Sequence, residues 1–277
     1  MSTYKTEGII VRRNNYHESS LILDIYTKDY GKVEAVARSA RKEKGKLKGH
    51  LEIFLYGEFI FARGRNVDTI TSSLTVESFM SIRRSIPFLY AAIFVIELAD
   101  KMILEGHKDE RIFFLLKRIL CELDKLAASA LEKESDGGIP GEILSKRNLL
   151  ILLFQMHMMS LSGFSPELSK CVSCAMPIVP GENYFSFRLG GLTGKECAKN
   201  DRRAVPISDN EIKLMRLFQF EEVANSEYLL ILEKHIEIAK KLKVDPKLIY
   251  RLIILMDKFV EFNVDRDIKS VDFLRAA

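Results

Sequence analysis

Long apolar runs are missing from this sequence of 277 residues. The two longest, Phe88 to Leu98 and Leu149 to Met159, stop well short of the ~20 residues a spanning helix needs, and Gln155 and His157 interrupt the second. A membrane protein is not expected. Near the amino terminus only Ile9, Ile10 and Val11 run together before charge returns, too few for the apolar core of a secretory signal. The expected location is therefore the cytoplasm. Cysteine is scarce too: Cys121, Cys171, Cys174 and Cys197 cannot staple a disulfide scaffold, and under reducing conditions they are thiols or metal ligands.

Catalytic signatures are also lacking. No phosphate-binding loop of the GxxxxGK[ST] type occurs, which argues against a nucleoside triphosphatase, and no GxSxG nucleophile elbow is present. His17-Glu18-Ser19-Ser20-Leu21 opens like a zinc-protease motif but ends in leucine where the second histidine belongs. The five histidines are scattered, and His157 on an apolar helix reads as a satisfied core group. There is no internal repeat and no low-complexity tract. With 47% hydrophobic residues the chain has a globular composition, and disorder over its whole length is excluded.

What is present divides by periodicity. Five runs rich in β-branched and aromatic residues, Glu7 to Arg13, Ser20 to Thr27, Lys32 to Arg38, Leu51 to Phe61 and Thr69 to Val76, are separated by turn chemistry such as Lys28-Asp29-Tyr30-Gly31. Gly57 stands where a bulge would bend the fourth run. Five bent strands in about 80 residues predict a small closed barrel. After Ser85-Ile86-Pro87, a capping serine and a first-turn proline, the period lengthens to that of helices. Helices are expected over Phe88 to Leu104, Asp109 to Leu131 and Glu142 to Ser162, the last closed by Gly163. Ser208-Asp209-Asn210-Glu211 has capping-box spacing, and Asp245-Pro246 starts a final helix to Asn263. Glu132 to Gly141 is the clearest linker. The expected partition is a barrel domain at 1–82 and a helical domain at 83–277, with an insertion at about 166–205 where neither period holds.

Charge is unevenly placed. Residues 1 to 85 hold 15 Lys+Arg against 10 Asp+Glu, leaving 27 and 28 for the remainder, so the first third is +5 and the rest −1. The densest cations, Arg38, Arg41, Lys42, Lys44, Lys46 and Lys48, fall in one connection between strands, and Arg63 and Arg65 form a second basic tip. A cluster of this density is an electrostatic footprint for phosphates, against the plainer reading of a solvated charged loop. Tyr16, Tyr26, Tyr30, Phe54, Tyr56, Phe59 and Phe61 interleave with these cations. Most must fill the barrel; Tyr26 and Tyr56 are the favoured candidates for stacking on bases.

Cys171-Val172-Ser173-Cys174 has the first-half spacing of a zinc ribbon. Cys197 supplies a third thiol, but Gly194 stands three positions before it, where a second pair would have cysteine. A metal set of Cys171, Cys174 and Cys197 is thus incomplete, with Asp201, Glu196, water or a distant side chain left for the fourth place. A knuckle held by packing and a redox CxxC remain as alternatives, and no other cofactor is expected.

The chain resembles the bacterial DNA repair and recombination protein RecO family over nearly its whole length. The resemblance rests on TEGIIVRRNNYHESSLILDIYTKDYGKVEAVARSARK at residues 6 to 42, KLKGHLEIF at 46 to 54, and CVSC followed by YFSFRLGGL within 171 to 192. It implies an α+β multidomain protein: an amino-terminal five-stranded oligonucleotide-binding (OB-fold) β-barrel, an all-α helical domain, and an inserted zinc-finger-like loop. It also implies a non-enzymatic, nucleoid-associated mediator of repair and homologous recombination. Such a protein binds single- and double-stranded DNA without sequence specificity, anneals complementary strands, acts with RecR, and helps load RecA onto strands coated by single-strand-binding protein. The acidic, apolar-ended tail of that protein docks on the helical domain, where Lys117, Arg118, Arg147, Lys240 and Lys241 are nearby cations. Gly194 departs from the family's four-cysteine version, and packing of Tyr184, Phe185 and Leu189 can hold the loop instead. Two other readings stand beside this one: a protein-only adaptor whose basic loop binds an acidic polypeptide, and a metal-dependent nuclease built on scattered carboxylates.

Overall fold

The computed structural model describes residues 2–42, 51–103, 106–133, 138–264, 268–270 and 274. They fall into two compact units, one of residues 1–139 with 272–277 and one of residues 140–271. The division lies inside the polar stretch from Glu132 to Gly141. Among the described residues no helix is long and apolar enough to cross a membrane.

The first unit begins with five strands, β1 (Thr3–Tyr16), β2 (Ser20–Thr27), β3 (Gly31–Ala37), β4 (Tyr56–Ala62) and β5 (Asp68–Glu77), closed in the order β1-β2-β3-β5-β4. Alternation places Leu21, Leu23 and Ile25 of β2 inside, against Ile10, Phe59, Phe61 and Ile70. Each such side chain contributes about 1.5 to 3 kcal/mol by leaving water. Gly31 takes φ +67° at the β2–β3 turn, a conformation that charges a side chain steric energy and leaves glycine free. The register shifts between Tyr56 and Gly57 of β4, as the bulge reading requires. A Cβ on Gly57 would lie 2.5 Å from the Leu74 carbonyl oxygen, so the bulge is tight enough to exclude any side chain there.

The fourth strand is shorter than the sequence predicts. Leu51 to Leu55 do not join it: Phe54 adopts φ +53°, and the segment instead bonds to β1, with the Phe54 N–H donating to the Ile10 carbonyl (2.8 Å) and the Ile10 N–H to that of Leu55 (3.1 Å). Its apolar residues mark burial rather than a ladder, since Leu51, Phe54 and Leu55 all lie in the core. The Arg83 guanidinium, 4.3 Å from the Phe54 ring centroid, donates to the carbonyls of Ile53 and Ser78 and so pins the turn.

Helices α1 (Met80–Arg84), α2 (Ile86–Met102) and α3 (Glu110–Lys133) follow among the described residues. The five residues of α1 are too few to show a period; Asp124 of α3 holds it by accepting the Ile82 N–H at 2.9 Å. Ser85 precedes α2 as expected, but its hydroxyl makes no capping bond. The Ser85 carbonyl accepts from Phe88 and Leu89 instead.

In the second unit the helix α4 (Gly141–Leu161) is buried at every position from Leu149 to Met159, which explains an apolar run without alternation: it is surrounded on all sides. Gly163, at φ +81°, follows it. A three-stranded sheet of β6 (Asn183–Ser186), β7 (Gly191–Gly194) and β8 (Val205–Ile207), ordered β7-β6-β8, carries the one-turn helix α5 (Lys195–Ala198). Phe185 is buried and meets Phe259 edge-on at 5.1 Å, packing the sheet on the last helix. Then come α6 (Asp209–Phe218), α7 (Asn225–Lys241) and α8 (Pro246–Val264). The capping box at Ser208 and Glu211 is formed in both directions.

Candidate nucleic-acid interface and thiol cluster

The turn after β3 is built to project cations. Ala40 drops into the barrel core at 5% exposure, Ser39 turns at φ +56°, and the Arg41 N–H donates to the Ser19 carbonyl at 3.0 Å. Arg38, Arg41 and Lys42 consequently stand in solvent. Lys44, Lys46 and Lys48 lie outside the described residues. The second tip, between β4 and β5, is held by the Arg63 N–H on the Ser2 carbonyl and the Gly64 N–H on Asp68. Arg63 and Arg65 are exposed there, the guanidinium of Arg63 lying 5.4 Å from the centre of the Tyr4 ring. None of these five cations has a carboxylate partner among the described residues.

Register decides where the tips sit. β3 runs parallel to β5 through only two pairs, Ala35 with Asp68 and Val36 with Thr69. Arg38 follows this pairing and Arg65 precedes it, so the two tips emerge at opposite ends of the paired segment. The β1–β2 hairpin, paired out to Tyr16 and Ser20, brings the Tyr16 ring and the His17 ring that meets it edge-on to the end that carries Arg41. At the other end Tyr30 lies 4.5 Å from Tyr4. Between them, a groove lined by Tyr4, Asp24, Lys32, Glu34, Asn66 and Asp68 bears three carboxylates against one ammonium. Lys32 is itself committed to Asp100 at 2.5 Å and Asp24 at 3.9 Å. The groove is therefore net negative, whereas the tips are positive.

The expected stacking tyrosines are buried. Tyr26 is 0% exposed because it packs outward from β2 against the start of α3, its hydroxyl donating to the Asp109 carbonyl at 2.9 Å. Tyr56 is 5% exposed; its hydroxyl donates to Glu7 and accepts from Lys117 at 2.7 Å, and the ammonium also lies 4.2 Å from the ring centroid. Burial and, for Tyr56, the bond to Glu7 push both phenols far above their ordinary range. Neither ring has a free face for a base. The rings that do are Tyr16 and Tyr30, each 39% exposed. Both adjoin turn residues in the sequence, a signal that separates them from rings in mid-strand. Of the cations named beside the helices, Lys117 is taken up by Tyr56 and Arg147 is 3% exposed.

In the second unit, Cys171, Cys174 and Cys197 converge, their sulfurs all within 4.8 Å of one another. The turn that achieves this is tight: Ala175 at φ +59° donates to the Cys171 carbonyl, and the Cys171 N–H donates to Met176, each at 2.8 Å. Desolvation opposes ionisation of Cys171, but the nearby backbone of Gly194, Ser173 and Cys174 and the Thr193 hydroxyl, 3.5 Å from its sulfur, favour the thiolate and bring its pKa below the ordinary thiol value. Hydrogen bonding to Cys174 and Cys171 raises that of Cys197. Three clustered thiols can bind a metal ion. They supply three of the four donors of a closed structural zinc site. Asp201 accepts from Ser186, and Glu196 is paired with Lys199, so neither carboxylate joins the group.

Comparison with known proteins follows the same division of the chain. The family model described as "Recombination protein O N terminal" matches residues 1–79, and that described as "Recombination protein O C terminal" matches residues 143–272. A protein of Dehalococcoides mccartyi named DNA repair protein RecO is 32% identical over 271 residues, covering 98% of this chain and 94% of its own. Proteins of the same name from Roseiflexus sp. and Listeria welshimeri are 28% and 31% identical, covering 98% and 77% of this chain and 84% and 76% of theirs.

Proposed function

The chain belongs to the recombination protein O family of DNA repair proteins, and from that premise we propose that its barrel holds single- and double-stranded DNA by the phosphate backbone. The observation that carries this is the exposure of Arg38, Arg41 and Lys42 on an anchored turn, without carboxylate partners among the described residues and beside the Tyr16 ring. Cations of this kind gain affinity by releasing counterions and read no bases. A base resting on Tyr16 or Tyr30 adds about 1 to 3 kcal/mol without regard to its identity. Sequence-tolerant contact of this sort suits the annealing of complementary strands, a role in which the protein positions strands and catalyses no bond change.

The helical unit supplies a surface for the partner reading. A groove lined by Leu214, Leu217, Leu242, Val244 and Leu248 carries Lys213 and Lys243 against Asp245, an apolar floor with net positive charge that suits an acidic peptide with an apolar end, the chemistry of the single-strand-binding protein tail. Action with RecR and the loading of RecA, in the cytoplasm at the nucleoid, complete the mediator role. The test is annealing of complementary strands pre-coated with single-strand-binding protein, together with filter binding across a salt series. Contact with about five phosphates of a single strand gives a log-log slope near −3.5 at ~0.7 per contact. Replacing Arg41, Lys42, Lys44 and Lys46 together by alanine flattens that slope; an unchanged slope refutes the assignment. A protein-only adaptor retains neither strand form on the filter, and a nuclease cleaves labelled DNA with Mg²⁺.

A further inference from the structure

We propose that Cys174 and Cys197 are a modification site for hydroperoxides: Cys174 is oxidised first, and Cys197 resolves it to a reversible disulfide that ties the turn after Cys171 to helix α5. Proximity is the first support, since these two sulfurs lie within 4.8 Å of each other. A disulfide needs about 2 Å, a gap within the reach of rotamer changes at the two side chains. Access is the second, and it ranks the three thiols. Cys174 is exposed and Cys197 half-buried, whereas Cys171 is 5% exposed. The Cys171 N–H is tied to the Met176 carbonyl at 2.8 Å and its sulfur lies 3.5 Å from the Thr193 hydroxyl, so this thiol stays inside. A solvent-facing thiol beside a second that can resolve it is the arrangement of redox-responsive cysteines, and in a reducing compartment such bonds are transient.

The oxidant has a path. Cys174 and Cys197 line one groove, Gly194 borders it, and a Cβ built on Gly194 meets no atom within 4 Å, so a small neutral peroxide can enter beside both sulfurs. The Cys174 sulfur attacks one peroxide oxygen: an S–O bond forms, the O–O bond breaks, and the thiol proton leaves on the other oxygen as water or an alcohol. The product is a sulfenic acid. The Cys197 sulfur then attacks that of Cys174, an S–S bond forms, the S–O bond breaks, and the hydroxyl departs with the Cys197 proton as water. Two thiols have given up two protons and two electrons, and the peroxide has gained both. A dithiol reverses the bond by exchange and is itself oxidised to a cyclic disulfide.

The test uses the full chain, reduced and dialysed against EDTA so that no metal ion shields the sulfurs, then exposed to hydrogen peroxide, quenched with catalase and alkylated in denaturant. Two of the four thiols are expected to escape alkylation. Trypsin reports which two, because Cys171 and Cys174 share the peptide 171–188 while Cys197 falls in 196–199. The expected product joins these peptides, fragments with the bond on Cys174, and disappears with dithiothreitol. It persists in Cys171→Ser and is lost in Cys174→Ser, each shown to be folded by circular dichroism; the fragmentation of the native product gives the same assignment without any variant. Four alkylated thiols overturn the proposal, as does a bridge confined to peptide 171–188 or oxygen added to Met176 with every thiol intact. Retention of DNA on filters depends on the other unit, so the outcome is independent of the DNA-binding reading.

Discussion

The Nε2 atom of His157 lies 2.9 Å from Nδ1 of His235, with both rings in the core of the helical unit and the other nitrogen of His157 sharing a hydrogen bond of 3.0 Å with the Tyr228 hydroxyl. One proton can sit between the two rings; a second cannot. Burial, and then the neighbouring imidazole, hold His157 far below its ordinary value, while burial and the nearby Lys234 lower His235. The folded state thus refuses protons that the unfolded chain accepts near pH 6.5. Stability is complete above that pH and declines as pH falls below it, by about 1.4 kcal/mol per unit for a single wholly buried imidazole. Thermal melts at pH 7.5 and 5.5 check this. The drop should shrink in His157→Gln, and an equal drop in both proteins would remove the assignment.

Tyr26→Phe and Tyr56→Phe should weaken the fold and leave DNA affinity alone. Loss of the Tyr26 hydroxyl leaves the Asp109 N–H without the acceptor it meets at 3.2 Å and the Asp109 carbonyl with the Phe113 N–H at 3.4 Å, costing about 1 to 2 kcal/mol. Tyr56→Phe costs less, because Lys117 and Glu7 keep their direct pair at 3.7 Å. Tyr16→Ala and Tyr30→Ala should show the reverse pattern, with little change in melting and weaker retention of single strands. Comparable loss of DNA binding in the Phe variants would restore the buried rings as contacts.

Two glycines separate a steric requirement from an open position. Gly31→Ala sets a Cβ 2.3 Å from the His107 carbonyl oxygen at φ +67°, and should cost about 2 to 4 kcal/mol. Gly194→Ala meets nothing and should stay within about 0.5 kcal/mol of the native chain. Urea titration of both variants provides the comparison.

Arg63→Ala with Arg65→Ala should lower the salt slope for single-stranded DNA by about 1.4, two contacts at ~0.7 each. Because these residues stand at the opposite end of the β3–β5 pairing from Arg41 and Lys42, their effect should add to that of the other tip. If the slope is insensitive to the Arg63 tip but falls with the Arg41 tip, the strand runs over one end only.

Local patterns in the chain were enough to determine the barrel, most of the longer helices and the thiol spacing. Alternation along Ser20 to Thr27, the Gly31 turn, the Gly57 bulge and the Ser208 capping box are interactions between near neighbours, and near neighbours are what a sequence displays. Which face of a strand meets solvent is a different kind of fact. Tyr26 and Tyr56 carry the same side chain as Tyr16 and Tyr30, but helix α3, arriving from more than 80 residues along the chain from Tyr26, covers the first two, while the turns hold the others outside. Likewise His157 gained its partner from a helix 78 residues away, and the two basic tips were parted by a strand register of two pairs. Packing between distant segments chose among chemically equivalent residues, because burial and hydrogen-bond partners are properties of the neighbours a residue acquires and not of the residue itself.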